Sequence, residues 1–151
     1  MFLYNSLIDI KSIFLPPLFI FLFIPYQLQH YLPKTPEKSS QLQDDKIKQV
    51  EGERILKYIK QDAFKIALEI DGKQLSSEEL ANKLANVAVN GYSNIQFIIG
   101  GSLGLASNVC KIADMHLSFS KMTFPHQLMR VILLEQIYRT YRINNNEPYH
   151  K

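Results

Sequence analysis

Three short apolar runs, FKIALEI at residues 64–70, NIQFII at 94–99 and MHLSF at 115–119, alternate with stretches of helical character, and this constrains the fold more than any other feature. Each run is apolar on both faces that a strand would present, as in strands covered from both sides. Between the first two lies SSEELANKLANVAVNG, which opens with the capping box Ser76-x-x-Glu79, carries Leu80, Leu84 and Val87 along one face and stops at Asn90-Gly91. A short helix is expected over 105–112, and a longer one from Pro125, a favourable first helical residue, to about residue 143. Upstream, DKIKQVEGERILKYIK at 45–60 spaces Ile47, Val50, Ile55, Leu56 and Ile59 as an amphipathic helix weakened by Gly52. Asp71-Gly72 reads as a turn closing the first strand. The order helix, strand, helix, strand, helix, strand, helix predicts an α/β domain with a mostly parallel sheet covered by helices.

In such sheets ligands bind where the carboxyl ends of the strands open into loops. Those ends fall at residues 68–70, 99–104 and 118–124. The third contains SFSKMTF, a polar interruption between apolar segments, and its hydroxyls and lysine fit the lining of a ligand crevice. The second, IIGGSLG, resembles a nucleotide-binding turn. It is not G-x-G-x-x-G, lacks the Lys-Ser/Thr of a phosphate loop, and no acidic residue follows at the distance that would hold a ribose. A regulatory module binding a nucleotide through Gly100 is one reading of this turn.

Other chemistries find little support. No two of the four histidines stand four residues apart, so no helical metal pair is formed and no metal is expected. No Ser-His-Asp or paired-carboxylate pattern is present. Cys110 is the sole cysteine, so the chain can form no internal disulfide and no thiolate zinc site, and a small buried side chain in a cytoplasmic protein is the expectation. Net charge is +3, but from residue 121 onward Lys121, Arg130, Arg139, Arg142 and Lys151 face only Glu135 and Glu147. This local excess suits either a solvated helix face or a surface for a polyanion.

Residues 1–32 differ from the rest. They are crowded with Phe, Leu, Ile and Tyr, and their only charges are Asp9 and Lys11. The apolar run 13–25 is shorter than the ~20 residues of a spanning helix and is broken by Pro16-Pro17, so no stable membrane association is expected, although a membrane-attached protein held by this run is the second alternative. A solvated stretch rich in Pro, Ser and Lys then leads into the domain proper at residues 33–151.

The segments ALEIDGKQLSSEELA, FIIGGSLGL, LSFSKMTFPHQLMRVILLEQIYR and EPYHK resemble the ribosomal RNA large subunit methyltransferase H family, a branch of the SPOUT methyltransferases, in order and spacing from about residue 33 to 151. Family members begin with a strand and a helix around a Gly-Lys turn, a pattern that residues 1–32 lack. The resemblance implies a SPOUT-type α/β fold with a trefoil knot in its C-terminal part. It also implies an S-adenosylmethionine-dependent enzyme that methylates N3 of a pseudouridine in large-subunit (23S) ribosomal RNA within the ribosome, working as a homodimer.

Carried over by position, the family's cofactor contacts fall on Leu68, Gly100, Phe119, Ser120, Lys121, Met122, Thr123 and Phe124. Apolar side chains would sandwich the adenine while Gly100 allows close approach. His126, Arg130, Tyr149 and His150 are the candidates for proton removal or charge stabilisation, and Arg130, Arg139, Arg142 and Lys151 for RNA phosphates. The apolar stretch 129–134 together with Ile137 is the expected dimer face.

Overall fold

A computed structural model of the chain describes residues 6–11 and 40–148. Its elements run β1 (Ser6–Lys11), α1 (Gln41–Leu56), β2 (Ala63–Gln74), α2 (Ser77–Val89), β3 (Asn94–Ile99), α3 (Ser107–Ile112), β4 (Met115–Ser118) and α4 (His126–Asn144). The strands form one sheet in the order β1-β3-β2-β4. β2 is parallel to both β3 and β4, as the alternating pattern predicts, while β1 joins the β3 edge antiparallel. The sequence reading placed no element at β1. The alternation in SLIDIK runs only from Ile8 to Lys11, and the segment around it is crowded with apolar residues.

Two apolar layers hold the helices to the sheet. On one face Ile66, Ile95, Phe97, Ile99 and Leu117 pack against Leu80, Leu84 and Val87 of α2 and Leu133 and Ile137 of α4. On the other, Ile98 meets Ile55 of α1, Val109 of α3 and Ala106 just before it. The period of two in β3 explains the division, since residues 95, 97 and 99 face one way and 96 and 98 the other. Each such fully buried side chain contributes about 1.5–3 kcal/mol of transfer free energy. Leu133 and Ile137 are 0% and 4% exposed, which corrects their assignment to a dimer face. The exposed apolar residues of α4 are Leu128 and Val131.

α2 starts as its capping box predicts: Ser76 Oγ accepts from Glu79 N–H at 3.1 Å, and Glu79 Oε2 accepts from Ser76 N–H at 2.7 Å. It ends at Gly91, whose φ of +91° suits glycine. α1 begins and ends about four residues earlier than expected. Its C-terminal end is set by Gln96, fully buried in β3, whose Oε1 accepts from Lys60 N–H at 2.9 Å and whose Nε2 donates to Tyr58 O at 3.2 Å. These bonds take main-chain groups that a longer helix would have used, and they satisfy an amide that would be costly to bury alone.

The expected turn at Asp71-Gly72 is instead a bulge within a continuing strand. Leu68 and Lys73 of β2 both pair with Leu117 of β4, so residues 69–72 are extra on the β2 side. Gly72 is needed there because a β-carbon would lie 2.6 Å from the Leu117 carbonyl carbon and 2.9 Å from that of His116.

Candidate functional site

The sheet register brings the three strand ends together. Leu68, at the last regular position of β2, pairs with Ile99 of β3 on one side and Leu117 of β4 on the other. Neighbouring strands lie about 4.8 Å apart, so the glycine turn after Ile99 and the loop after Leu117 open within ~10 Å of each other, with the bulge between them. Leu68 lies at this edge, and the segments that carry Gly100 and residues 119–124, the other positions implied by the family resemblance, leave the adjacent strand ends there.

The glycine turn and the loop after β4 are each braced by their own chain. In the glycine turn, Gly101 and Gly104 form an isolated bridge and Gly104 N–H donates to Gly101 O at 2.9 Å. Gly100 is buried, and a β-carbon on it would come within 2.8 Å of the Gly104 carbonyl carbon and 2.9 Å of Leu105 N. Its lack of a side chain therefore lets the turn close on itself, a nearer reason than the approach of a ligand.

In the loop between β4 and α4, buried Ser118 donates its hydroxyl to Ser120 O at 3.1 Å, and Ser120 Oγ accepts from Met122 N–H at 2.9 Å. Two of the hydroxyls that interrupt the apolar sequence thus shape the loop. Leu68, Phe119 and Met129 rest partly buried on the main core, while Lys121, Met122 and Thr123 are exposed and Phe124 is half-buried.

α4 starts where this loop ends. His126 is its first residue, and Arg130 stands one turn on, along the same side of the helix. Burial, and then the nearby Arg130 charge, lower the His126 pKa from its ordinary 6.5, so the imidazole is neutral at pH 7 and able to accept a proton. Arg139 and Arg142 lie elsewhere, about 20–24 Å along α4 from His126 at 1.5 Å per residue. Arg139 Nη2 and Nε reach Glu135 Oε1 at 2.6 and 2.9 Å, and Arg142 Nη1 reaches Glu147 Oε2 at 2.5 Å. A phosphate at either arginine would compete with a carboxylate already in place. Tyr149, His150 and Lys151 lie outside the described residues.

One polar cluster escaped the sequence reading. Glu69, the first residue of the bulge, accepts from Cys110 Sγ on α3 at 2.8 Å through Oε1, while its Oε2 lies 2.5 Å from His116 Nδ1 on β4. Cys110 is half-buried where a buried side chain was expected, and it is a hydrogen-bond donor. The signal was present only as parity: Lys65, Ala67 and Glu69 share the face of β2 opposite Ile66 and Leu68. Nothing in the spacing of Cys110 and His116 indicated that they would meet it.

A mostly parallel α/β sheet whose strand ends open into a glycine turn and a polar loop at one edge is the architecture in which α/β proteins place their ligands. Comparison with known proteins narrows this class. The family model described as "Predicted SPOUT methyltransferase" matches residues 20–150. Across 118 residues, or 78% of this chain and 74% of the relative, the sequence is 64% identical to the ribosomal RNA large subunit methyltransferase H of Bifidobacterium adolescentis. It is 60% identical over the same shares to the protein of that name from Bifidobacterium animalis subsp. lactis. The chain belongs to the SPOUT methyltransferase family. Among the described residues no helix is long and apolar enough to cross a membrane, and residues 13–25, on which the membrane-attached alternative rested, lie outside them.

Proposed function

We propose that this protein methylates N3 of a pseudouridine in large-subunit (23S) ribosomal RNA, with S-adenosylmethionine as the methyl donor. The observation that carries the proposal is the register of Leu68 with Ile99 and Leu117, which puts three loops matching the family's cofactor positions at one edge of the sheet. The residues there fit such a cofactor. Leu68, Phe119 and Phe124 offer apolar surface to an adenine ring, and the main chain of residues 119–124 offers donors and acceptors to its edge. S-adenosylmethionine supplies an electrophilic methyl group, so the protein's task is to align the acceptor nitrogen and free it of its proton. Neutral His126 takes that proton, and Arg130 stabilises the negative charge left on the base. The roles proposed for Tyr149, His150 and Lys151 are stacking on the base, placing a proton near N3 and holding a phosphate. The chain acts as a homodimer through the face carrying exposed Leu128 and Val131, in the cytoplasm, and its C-terminal part has the family's trefoil knot.

The test is incubation with large ribosomal subunits and isotope-labelled S-adenosylmethionine, followed by nucleoside analysis of the RNA. Label in N3-methylpseudouridine is expected. Label in another nucleoside would refute the acceptor, and binding of ATP in place of S-adenosylhomocysteine would return the glycine turn to a regulatory nucleotide site.

A further inference from the structure

The Glu69 cluster has no part in the chemistry above, yet its members stand next to each of the three strand-end segments in the chain. Glu69 follows Leu68 directly and begins the bulge. Cys110 belongs to α3, the helix that follows the glycine turn, and His116 stands in β4 just ahead of the loop at 119–124. One carboxylate thus joins the strand that carries Leu68 to the helix that follows the glycine turn and to the strand that precedes the loop at 119–124. The Cys110 thiol donates to one oxygen, and His116 Nδ1 donates to the other in the tautomer that carries its proton there; a carboxylate offers both contacts an accepting oxygen, whereas an amide has one.

The sulfur serves as a donor and not as a nucleophile. Burial, the hydrogen bond to Glu69 and the Glu69 charge, opposed weakly by Lys48 of α1, push the Cys110 pKa from 9.0 to about 11 and keep the thiol protonated. The cluster is not a metal centre either: among the described residues no group of three or more His, Cys, Asp or Glu could hold a metal ion.

We propose that Glu69 is a positioning residue of the cofactor site, whose bridge from Cys110 to His116 sets the spacing of the three loops and with it the affinity for S-adenosylmethionine. This rests on reading those loops as the cofactor site.

The experiment is calorimetric titration of S-adenosylhomocysteine into the wild-type protein and Glu69→Gln, with steady-state kinetics on both. The wild type is expected to bind. Glu69→Gln should bind about tenfold more weakly and show KM for S-adenosylmethionine raised by the same factor, with kcat at saturation unchanged, the scale of one misplaced charge-assisted hydrogen bond. Cys110→Ala should weaken binding in the wild type but add little in the Glu69→Gln background, because it removes the same bridge. A merely structural role would lower melting temperature and active fraction, hence kcat, and leave KM unmoved. Equal affinity in wild type and folded Glu69→Gln overturns the proposal.

Should that variant not fold, the wild type carries the test through its only thiol. Saturating S-adenosylhomocysteine is expected to slow alkylation of Cys110 by iodoacetamide at least about fivefold, because a tightened bridge opens less often. An unchanged rate overturns the proposal. A wild-type protein that binds no S-adenosylhomocysteine refutes the cofactor site itself, and this inference with it.

Discussion

Replacing Gly72 by alanine should loosen the junction of β2 and β4 on which the site is built. The added β-carbon would lie 2.6 Å from the Leu117 carbonyl carbon, whereas ordinary contact begins at 3.4 Å, so the strands must part by the difference of 0.8 Å. A ladder hydrogen bond of about 2.9 Å cannot survive that widening. The pairs beyond the bulge, Lys73 with Leu117 and Gln74 with Ser118, are the ones at risk. Two bonds at about 0.5–1.5 kcal/mol each give a loss of roughly 1–3 kcal/mol, the same range as overpacking a core. At about 2–4 °C per kcal/mol for a chain of this size, the melting temperature should fall by roughly 2–12 °C. Urea denaturation should show a lower midpoint at unchanged slope, and S-adenosylhomocysteine should bind more weakly because Leu117 leads into the loop at 118–124.

The control is Gly72→Asn. Gly72 is not among the glycines with positive φ, so asparagine, which tolerates a left-handed turn, should be no better than alanine. If Gly72→Asn matched the wild type while Gly72→Ala did not, the residue would be a turn glycine after all and the steric argument would fail.

Three further outcomes follow from the site and its surroundings. Because the folded protein lowers the His126 pKa below 6.5, the unfolded chain binds more protons just below that pH, so stability should decline as pH falls from about 6.5 towards the folded value, and His126→Gln should flatten this part of a melting-temperature profile; an unchanged profile would show that His126 is not the group responsible. Val131 is 62% exposed, so Val131→Glu should leave the monomer's stability within about 0.5 kcal/mol while shifting the mass in light scattering from dimer to monomer; a dimer that persists would move the interface off α4. Removing residues 149–151 should abolish methyl transfer but preserve S-adenosylhomocysteine binding and melting temperature, and full activity of the shortened chain would leave His126 and Arg130 as the catalytic pair.

The amino-acid sequence alone determined what depends on local pattern. The parity of NIQFII, the capping box at Ser76 and the glycine at position 91 each act through residues within a few positions, so strand, helix and stop are legible, and alternation of the elements implies the parallel pairing of β2 with β3 and β4. That the ends of β2, β3 and β4 adjoin was legible for the same reason, since the strand ends of a parallel sheet share one edge. Tertiary structure decided what depends on atoms far apart in the chain. The β2 bulge, which looked like a turn, exists because Gly72 can lie against the Leu117 main chain 45 residues later, and α1 ends early because Gln96 takes its main-chain groups. Leu133 and Ile137 look like an oily dimer face in sequence, and only the packing of α4 on the sheet makes them core. The meeting of Glu69, Cys110 and His116 has the same origin: hydrogen bonding reports proximity in space, and no pattern along the chain encodes which polar side chains the folded sheet will bring into reach.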